Sequence, residues 1–178
     1  RQLIVWTQEA VTALDPATGQ TWWRELLRTP GDMAVSTPVF SNPWLLIGGL
    51  MFKLDADKPA ASVLWPETRP ATRRVLSNTS TALMQGEYVF SAKISGELVC
   101  LEAGTGKQVW QTNTVTSLKN GSSIHLTPHG DSVLLFTDQG NLIRARISAQ
   151  GYQELSRVHL LDPTHPFNGR NVVWPPPA

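Results

Sequence analysis

One eleven-residue pattern occurs twice in this chain of 178 residues, at 13–23 and again at 100–110. Both copies place an acidic residue three positions before Thr-Gly and a Trp four positions after that Gly. An acidic side chain that accepts backbone N–H groups, followed by a Gly with positive φ, is typical of a tight turn. Each copy therefore predicts the end of a strand, a turn, and a second strand in which the Trp offers a large apolar face.

The spacing of the two copies predicts a repeated unit. Trp23 and Trp110 lie 87 positions apart, which is about 43 or 44 residues for each of two units. A less regular copy contains Asp55 and Trp65, with what we predict to be a longer turn between them. A fourth copy keeps only part of the pattern: Gly151 lies at the turn, and Leu155 occupies the position of the Trp. A period of roughly 40–45 residues with several strands in each unit is typical of a β-propeller.

Short apolar or alternating runs, separated by turns that contain Gly, predict the strands of these units. In the second unit they cover 37–41, 44–49, 50–56 and 62–65. In the third they cover 80–85, 87–94, 98–103 and 107–112, and in the fourth 123–127, 132–137, 141–148 and 153–158. The first unit offers only 3–7, 11–15 and 20–26, so its innermost strand is expected upstream.

These strands predict an all-β fold. We expect a β-propeller, or an open propeller segment, of about four four-stranded antiparallel blades. It forms one region over residues 1–178, with blades at about 1–29, 30–70, 71–117 and 118–160 and the start of another at 161–178. A Trp at a fixed place in a unit then fits the contact between neighbouring blades, where its apolar face is buried.

Charge and cysteine content exclude several classes of protein. Lys and Arg number 15 against 14 Asp and Glu, which indicates neither nucleic acid nor an anionic membrane as a partner. The longest apolar run, residues 44–52, is far too short for a transmembrane segment. The one cysteine, Cys100, excludes an intramolecular disulfide. Because the chain begins at Arg1, we interpret it as a processed chain or an excised piece.

The repeated pattern resembles the tryptophan-docking motif of the quinoprotein (pyrroloquinoline quinone-like) repeat propellers. The copy at 13–23 matches that motif throughout, whereas the copy at 100–110 has Cys100 for Ala and Glu102 for Asp. In that family the Trp stacks between blades, and complete rings have more blades than are expected here. The resemblance therefore implies part of a propeller, with a structural blade-docking role for Ala13, Asp15, Gly19, Trp23, Glu102, Gly106 and Trp110.

The resemblance implies two classes of function. The family includes quinone- and calcium-dependent dehydrogenases, which use a vicinal disulfide, and non-catalytic members such as an outer-membrane assembly lipoprotein. Cys100 is alone, and no local run supplies a calcium cage. We therefore expect a non-catalytic scaffold or interaction module without a cofactor. The alternative is a fragment of a quinone- and calcium-dependent dehydrogenase whose catalytic residues lie in missing blades. By resemblance, we expect a periplasmic or exported protein.

Other patterns that carry chemistry are weak in this sequence. His125 and His129 are four residues apart, but in a predicted strand and turn, where that spacing does not form the metal pair of a helix. His159 and Asp162 would place a carboxylate beside an imidazole, although a Pro-containing loop explains them equally. No phosphate-binding loop or hydrolase elbow occurs. We expect no catalytic, cofactor-binding or metal-binding residue.

The links between units form the best candidate for a ligand-binding surface. They cover 27–36, 66–79, 113–122 and 159–170 and are expected to emerge together around the central channel. Six basic against three acidic residues in them indicate an anionic ligand or an acidic partner, unless they are ordinary solvated loops. The basic residues that we place on this face are Arg73, Arg74, Lys119 and Arg170.

An open segment of four blades exposes two sheet faces and unpaired strand edges. Such surfaces favour association with a protein partner or with a second copy of the chain. We predict that two copies could close one eight-blade ring as a homodimer with two-fold symmetry.

Overall fold

The structure, a computed structural model, describes residues 1–28, 35–66 and 76–174. Every regular element in these residues is a β-strand. The described chain therefore contains no helix of the length and apolar character that would cross a membrane. The strands form four successive sheets, which we number as blades 1 to 4, and a final hairpin.

The strand bounds follow the predicted units closely. Blade 1 contains β1 (Leu3–Trp6), β2 (Ala10–Leu14) and β3 (Thr21–Leu26). Blade 2 contains β4 (Val39–Ser41), β5 (Trp44–Ile47), β6 (Leu50–Leu54) and β7 (Ala61–Trp65). Blade 3 contains β8 (Leu83–Gln85), β9 (Tyr88–Ala92), β10 (Leu98–Glu102) and β11 (Gln108–Thr112). Blade 4 contains β12 (Ile124–His129), β13 (Ser132–Thr137), β14 (Asn141–Ser148) and β15 (Gly151–His159). The C-terminal hairpin pairs β16 (His165–Phe167) with β17 (Arg170–Val172).

Each blade is an antiparallel meander in which consecutive strands are neighbours. Blades 2, 3 and 4 have four strands, and blade 1 has three among the described residues. The predicted all-β class and the open propeller segment are confirmed by this arrangement. The predicted divisions at 117 and 160 fall between sheets, those at 29 and 70 lie outside the described residues, and the division as a whole stays a prediction.

Three apolar clusters lie between successive blades. The first joins Val11 of blade 1 to Phe52 of blade 2, and the second joins Met51 to Val99 of blade 3. The third joins Cys100 to Ile143 of blade 4. Val99 and Cys100 are adjacent but face different neighbours, because successive strand residues point to opposite faces of a sheet.

This geometry explains why some strands are continuously apolar and others alternate. In β10, Leu98, Val99, Cys100 and Leu101 are all buried, since blade 3 has a neighbour on each face. In β14 only alternate residues such as Ile143 are buried. The far face of blade 4 is therefore open over most of its length in the described chain.

The C-terminal region differs from the sequence prediction. A link was expected over 159–170, and the start of another unit over 161–178, but β15 extends to His159 and β16 begins at His165. Pro166 in this segment argues against a strand in a sheet interior. A two-stranded hairpin tolerates it, and Pro166 lies opposite Asn171.

Candidate functional site

The junctions between blades are built around three acidic turns, residues 15–20, 55–60 and 102–107. In each turn the N–H of the acidic residue donates to the carbonyl oxygen five residues later. The distances are 2.8 Å for Asp15, 3.0 Å for Asp55 and 2.9 Å for Glu102. All three turns therefore have the same length, and the predicted longer turn before Trp65 is wrong.

Aspartate closes its turn through backbone N–H groups. Oδ1 of Asp15 accepts the N–H of Ala17 at 2.7 Å and of Thr18 at 3.2 Å. Oδ1 of Asp55 accepts the N–H of Asp57 at 2.9 Å, and this bond is the main reason why the pKa of Asp55 lies below its ordinary value. The carboxylates therefore hold the turns and are not free for catalysis.

Glycine occupies the fifth position of the turns in blades 1 and 3. Gly19 has φ 74° and Gly106 has φ 70°, in the left-handed region that favours glycine. Their N–H groups donate to the carbonyl oxygens of Asp15 and Glu102 at 2.9 and 2.8 Å. The longer Glu102 side chain differs from Asp15, because it accepts the hydroxyl of Thr105 at 2.8 Å.

The tightest indole contact crosses from blade 2 to blade 3. The buried Trp65 donates from Nε1 to the carbonyl oxygen of Ala103 at 2.7 Å. A Cβ added to Gly106 would lie 2.7 Å from Cδ2 of Trp65, closer than carbon atoms approach one another. Gly106 therefore provides both the positive φ of the turn and the space for the neighbouring indole.

The position of Trp65 along its strand differs from that of the other two Trp residues. Trp110 pairs with Cys100, two residues before the acidic residue of its turn, whereas Trp65 pairs with Met51, four residues before Asp55. The β-bulge is displaced in the same way, since it follows Met51 in blade 2 and Cys100 in blade 3. A shifted bulge, and not a longer turn, accounts for the irregular spacing.

The junction between blades 1 and 2 is built differently. Trp23 lies 5.6 Å from the ring of Phe52 in blade 2, and its Nε1 donates to Oε1 of Gln2 at 2.8 Å. In the acidic turn of blade 2, Pro59 stands where Gly106 stands in blade 3. Proline has no N–H to donate across the turn, and it carries a ring where Gly106 leaves room for an indole.

A cleft of about 710 Å³ adjoins the turn that contains Pro59. Apolar side chains, among them Trp22, Phe40 and Leu54, line it together with the carboxyl groups of Asp55 and Asp57. The sequence signal for this opening was the Pro in place of Gly, which a search for the acidic residue and the Trp alone overlooks.

Trp110 contacts blade 4, and blade 4 has no equivalent indole. Nε1 of Trp110 donates to the carbonyl oxygen of Ser148 at 2.8 Å. In β15 the bulge falls on Leu155, and Ser156 pairs with Arg144 as Trp110 pairs with Cys100 in blade 3. The prediction that Leu155 replaces the Trp is therefore displaced by one residue, and the replacement is Ser156.

A buried ion pair joins blade 4 to the C-terminal hairpin. Nη1 of Arg170 contacts Oδ2 of Asp138, with side-chain exposures of 14% and 0%. Nη2 of Arg170 donates to Oγ of Ser122 at 3.1 Å, and Oδ1 of Asp138 accepts the hydroxyl of Thr116 at 2.6 Å. Sequence reasoning missed Asp138, because its partner lies 32 residues away in another sheet.

The predicted ligand face is only partly within the described residues. Arg73 and Arg74 lie outside them, and Lys119 is exposed between blades 3 and 4. Arg170 lies in β17 rather than in a link, and Asp138 neutralises its charge. The structure therefore offers Lys119 as an accessible cation of this face, and the face itself stays a prediction.

The histidines do not form a metal centre in the described part of the chain. No group of three or more His, Cys, Asp or Glu side chains is arranged there to hold a metal ion. His125 is buried and His129 is exposed. His159 and Asp162 do meet, with Nε2 and Oδ1 2.9 Å apart, but both are exposed to water and Nδ1 of His159 contacts Asn141.

We expect Cys100 to react with thiol reagents only after unfolding. Its side chain is fully buried between blades 3 and 4, and this burial raises its pKa to about 11. The thiolate that reacts is therefore scarce at pH 8. A chromogenic disulfide reagent, added with and without denaturant, measures the rate, and equal rates in both conditions would contradict the burial.

Comparison with known proteins agrees with this architecture. Residues 7–151 match the family described as outer membrane protein assembly factor BamB. No curated protein gives a significant match. BamB from Moraxella catarrhalis superposes with a TM-score of 0.58 and 16% identity, over 89% of this chain and 46% of that one. The Cps50 (Swd1) β-propeller domain of Myceliophteria thermophila superposes with a TM-score of 0.54 and 13% identity, over 89% and 55%.

The chain thus spans about half the length of these two solved structures. A europium-containing methanol dehydrogenase aligns with a TM-score of only 0.43 at 16% identity, over 68% of this chain and 25% of that one, and supports no argument. The two superpositions show a shared propeller fold, and the family match covers most of the sequence. The chain therefore belongs to the outer membrane protein assembly factor BamB family of quinoprotein-like repeat propellers.

Proposed function

We propose that this chain is a non-catalytic propeller segment that binds another protein, in a periplasmic or exported setting. The observation that carries the proposal is an exposed apolar face on blade 1. Leu3, Val5 and Leu26 are 49%, 37% and 62% exposed. The strand register places all three on the face that points away from blade 2. Exposed apolar patches of this kind mark surfaces that pack against a partner, and for blade 1 that partner is another protein or a further blade.

The family match supports the same reading. The family is described as an outer membrane protein assembly factor, which agrees with a surface for binding other proteins. Asp15 and Asp55 accept hydrogen bonds within their turns, and Asp138 is paired with Arg170. These interactions favour a structural role for the three carboxylates over a catalytic one. A periplasmic or exported location rests on this family relationship.

The competing function is a fragment of a quinone- and calcium-dependent dehydrogenase. Neither a second Cys nor a cluster of acidic ligands accompanies Cys100 in the described residues. We therefore expect no quinone absorbance to remain with the protein after incubation with pyrroloquinoline quinone and calcium, followed by gel filtration. Retained quinone would favour the dehydrogenase.

Site-specific photo-crosslinking tests the binding surface. We expect a photo-reactive residue at Leu26 to crosslink to another polypeptide in living cells, because that side chain lies on the open apolar face. The same residue at Val109, which is 40% exposed on β11, is the matched control and should give no crosslink. Absence of any crosslink from position 26 would overturn the proposed surface.

Ring closure by two copies is a separate proposal. A homodimer would have twice the 19.6 kDa mass of the chain, which light scattering measures over a range of concentrations. In such a ring, blade 4 would offer Ser156 rather than an indole to the turn of Gly19 on the next copy. A chain that remains monomeric at high concentration would remove this proposal. We also propose that the exposed Lys119 binds an anionic ligand.

A further inference from the structure

The C-terminal hairpin covers a polar part of blade 4. We call the contact between blade 4 and residues 165–174 the hairpin junction. Ile124 points into the apolar cluster with blade 3. Its neighbours Ser123 and His125 therefore point to the opposite face, towards the hairpin. Asp138, whose N–H donates to the carbonyl oxygen of Ser123 at 3.1 Å, lies beside them.

Within the described residues, the hairpin is held by a small set of polar and ring contacts. Besides the Arg170–Asp138 pair, the N–H of Val173 donates to the carbonyl oxygen of Asp138 at 2.8 Å. The ring of Phe167 packs directly on Gly121 and meets Trp174 edge-on at 4.8 Å. By comparison, the junction between blades 3 and 4 is a continuous apolar cluster.

Several buried polar atoms in the hairpin junction have no hydrogen-bond partner. They are Oγ of Ser123, Nε of Arg170 and both ring nitrogens of His125. His125 is only 6% exposed, and the backbone of Trp174 lies beside its ring without making a well-formed bond. Unpaired buried groups are unfavourable because they have lost water without gaining a partner, so these atoms weaken the junction.

We propose that the hairpin junction is a pH-sensitive opening point, at which protonation of His125 releases residues 165–174 from blade 4. A charged imidazole at this position would lose its hydration, and the backbone of Trp174 and the carboxylate of Asp138 offset that loss only in part. Asp138 is already paired with Arg170 and bonded to Thr116.

The sign of the effect follows from the burial. Desolvation lowers the pKa of His125 below its ordinary value of 6.5, with smaller opposing effects from the Trp174 backbone and Asp138. In the open state the imidazole is hydrated and keeps its ordinary pKa. The open state therefore binds more protons, and opening becomes more favourable as the pH falls below 6.5.

The other charged or titratable groups near this face are either paired or exposed to water. Arg144 and Arg146, on the same face of β14, are both paired with Asp131, at 3.5 and 3.0 Å. His165 in β16 is exposed and lies 6.2 Å from the ring of Trp174. His165 is thus the other titratable group of the hairpin, and the experiment must separate it from His125.

Hydrogen exchange of the whole chain at pH 7.5 and 5.5 tests the proposal. We expect amides in 165–174, including that of Val173, to lose up to about tenfold in protection relative to intrinsic exchange at pH 5.5. Tenfold is the limit for one group with an open-state pKa near 6.5 that stays neutral when closed. Amides of β10, between two apolar clusters, should show no such change.

Four variants decide between explanations. His125→Phe and His125→Gln, neither of which titrates, should abolish the pH response of the hairpin. His129→Gln, on the same strand but exposed, should leave it intact, and so should His165→Gln. The proposal is overturned if the unmodified chain shows no pH response, if the response survives in both His125 variants, or if His165→Gln removes it.

Discussion

Gly106→Ala is expected to lower the free energy of unfolding by about 2–5 kcal/mol. Forcing a Cβ into the left-handed conformation costs about 1–2 kcal/mol. The remainder comes from overpacking, typically about 1–3 kcal/mol, because the new carbon would lie 2.7 Å from Trp65. Gly19→Ala is the matched control, since Gly19 has the same positive φ but no atom within 4 Å of an added Cβ.

Urea denaturation of the two variants separates the backbone cost from the contact between blades. Gly19→Ala should lose only the conformational part, about 1–2 kcal/mol. In a Trp65→Ala background, Gly106→Ala should cost less than it does alone, because the ring that it strikes is gone. Equal losses for Gly19→Ala and Gly106→Ala would show that the Trp65 contact contributes nothing.

Arg170→Met is expected to weaken the attachment of the C-terminal hairpin by about 3–5 kcal/mol. It leaves the fully buried carboxylate of Asp138 without its cation, and an uncompensated buried charge carries a cost of this size. The matched control is Arg24→Met, which removes an exposed ion pair with Glu9, at 50% and 70% exposure. Such surface pairs contribute about 0–1 kcal/mol.

The pair of Arg170 and Asp138 is best tested by a cycle of variants. Asp138→Asn together with Arg170→Met should recover most of the loss, because the buried charge is then removed with its partner. Hydrogen exchange in residues 165–174 reports attachment of the hairpin, and denaturation reports the rest of the chain. If Arg170→Met and Arg24→Met have the same small effect, the buried pair does not anchor the hairpin.

Much of the fold follows from local sequence patterns. The continuous apolar run in β10 indicates a blade that is covered on both faces, and the alternation in β14 indicates a blade that is covered mainly on one. The acidic turns are equally local, since the residues that Asp15 needs as hydrogen-bond donors follow it in the chain. Strand existence and turn position were therefore predictable without knowledge of the packing.

The details of the junctions were not predictable in the same way. The shifted bulge before Trp65 changes the pairing of β6 with β7, and the residue types in these strands do not reveal it. The partners of Trp65, Ala103 and Gly106, lie 38 and 41 residues away, and so belong to the next blade. Contacts of this range depend on how sheets stack, which a pattern within one unit does not contain.

The candidate ligand face shows the same limit. A count of charges in the predicted links favoured an anionic ligand, yet the count could not reveal that Arg170 lies in a strand opposite a buried acid. Likewise, His125 and His129 look equivalent in the sequence, and only the blade face and the hairpin make one buried and the other exposed. Pairing across sheets decides which charges remain available.

Pro59, in the second acidic turn, bears on the order in which the blades unfold. In proteins built from stacked units, cooperativity passes from each unit to its nearest neighbour. Trp65 and Trp110 provide such a link into blades 3 and 4 by donating hydrogen bonds across the junction. By contrast, Trp6 and Trp23 of blade 1 pack on Gly48 and Phe52 and donate no hydrogen bond to the turn that contains Pro59. Blade 1 is thus the unit most loosely coupled to its successor, and heating should separate it while the remaining three blades still unfold as one body.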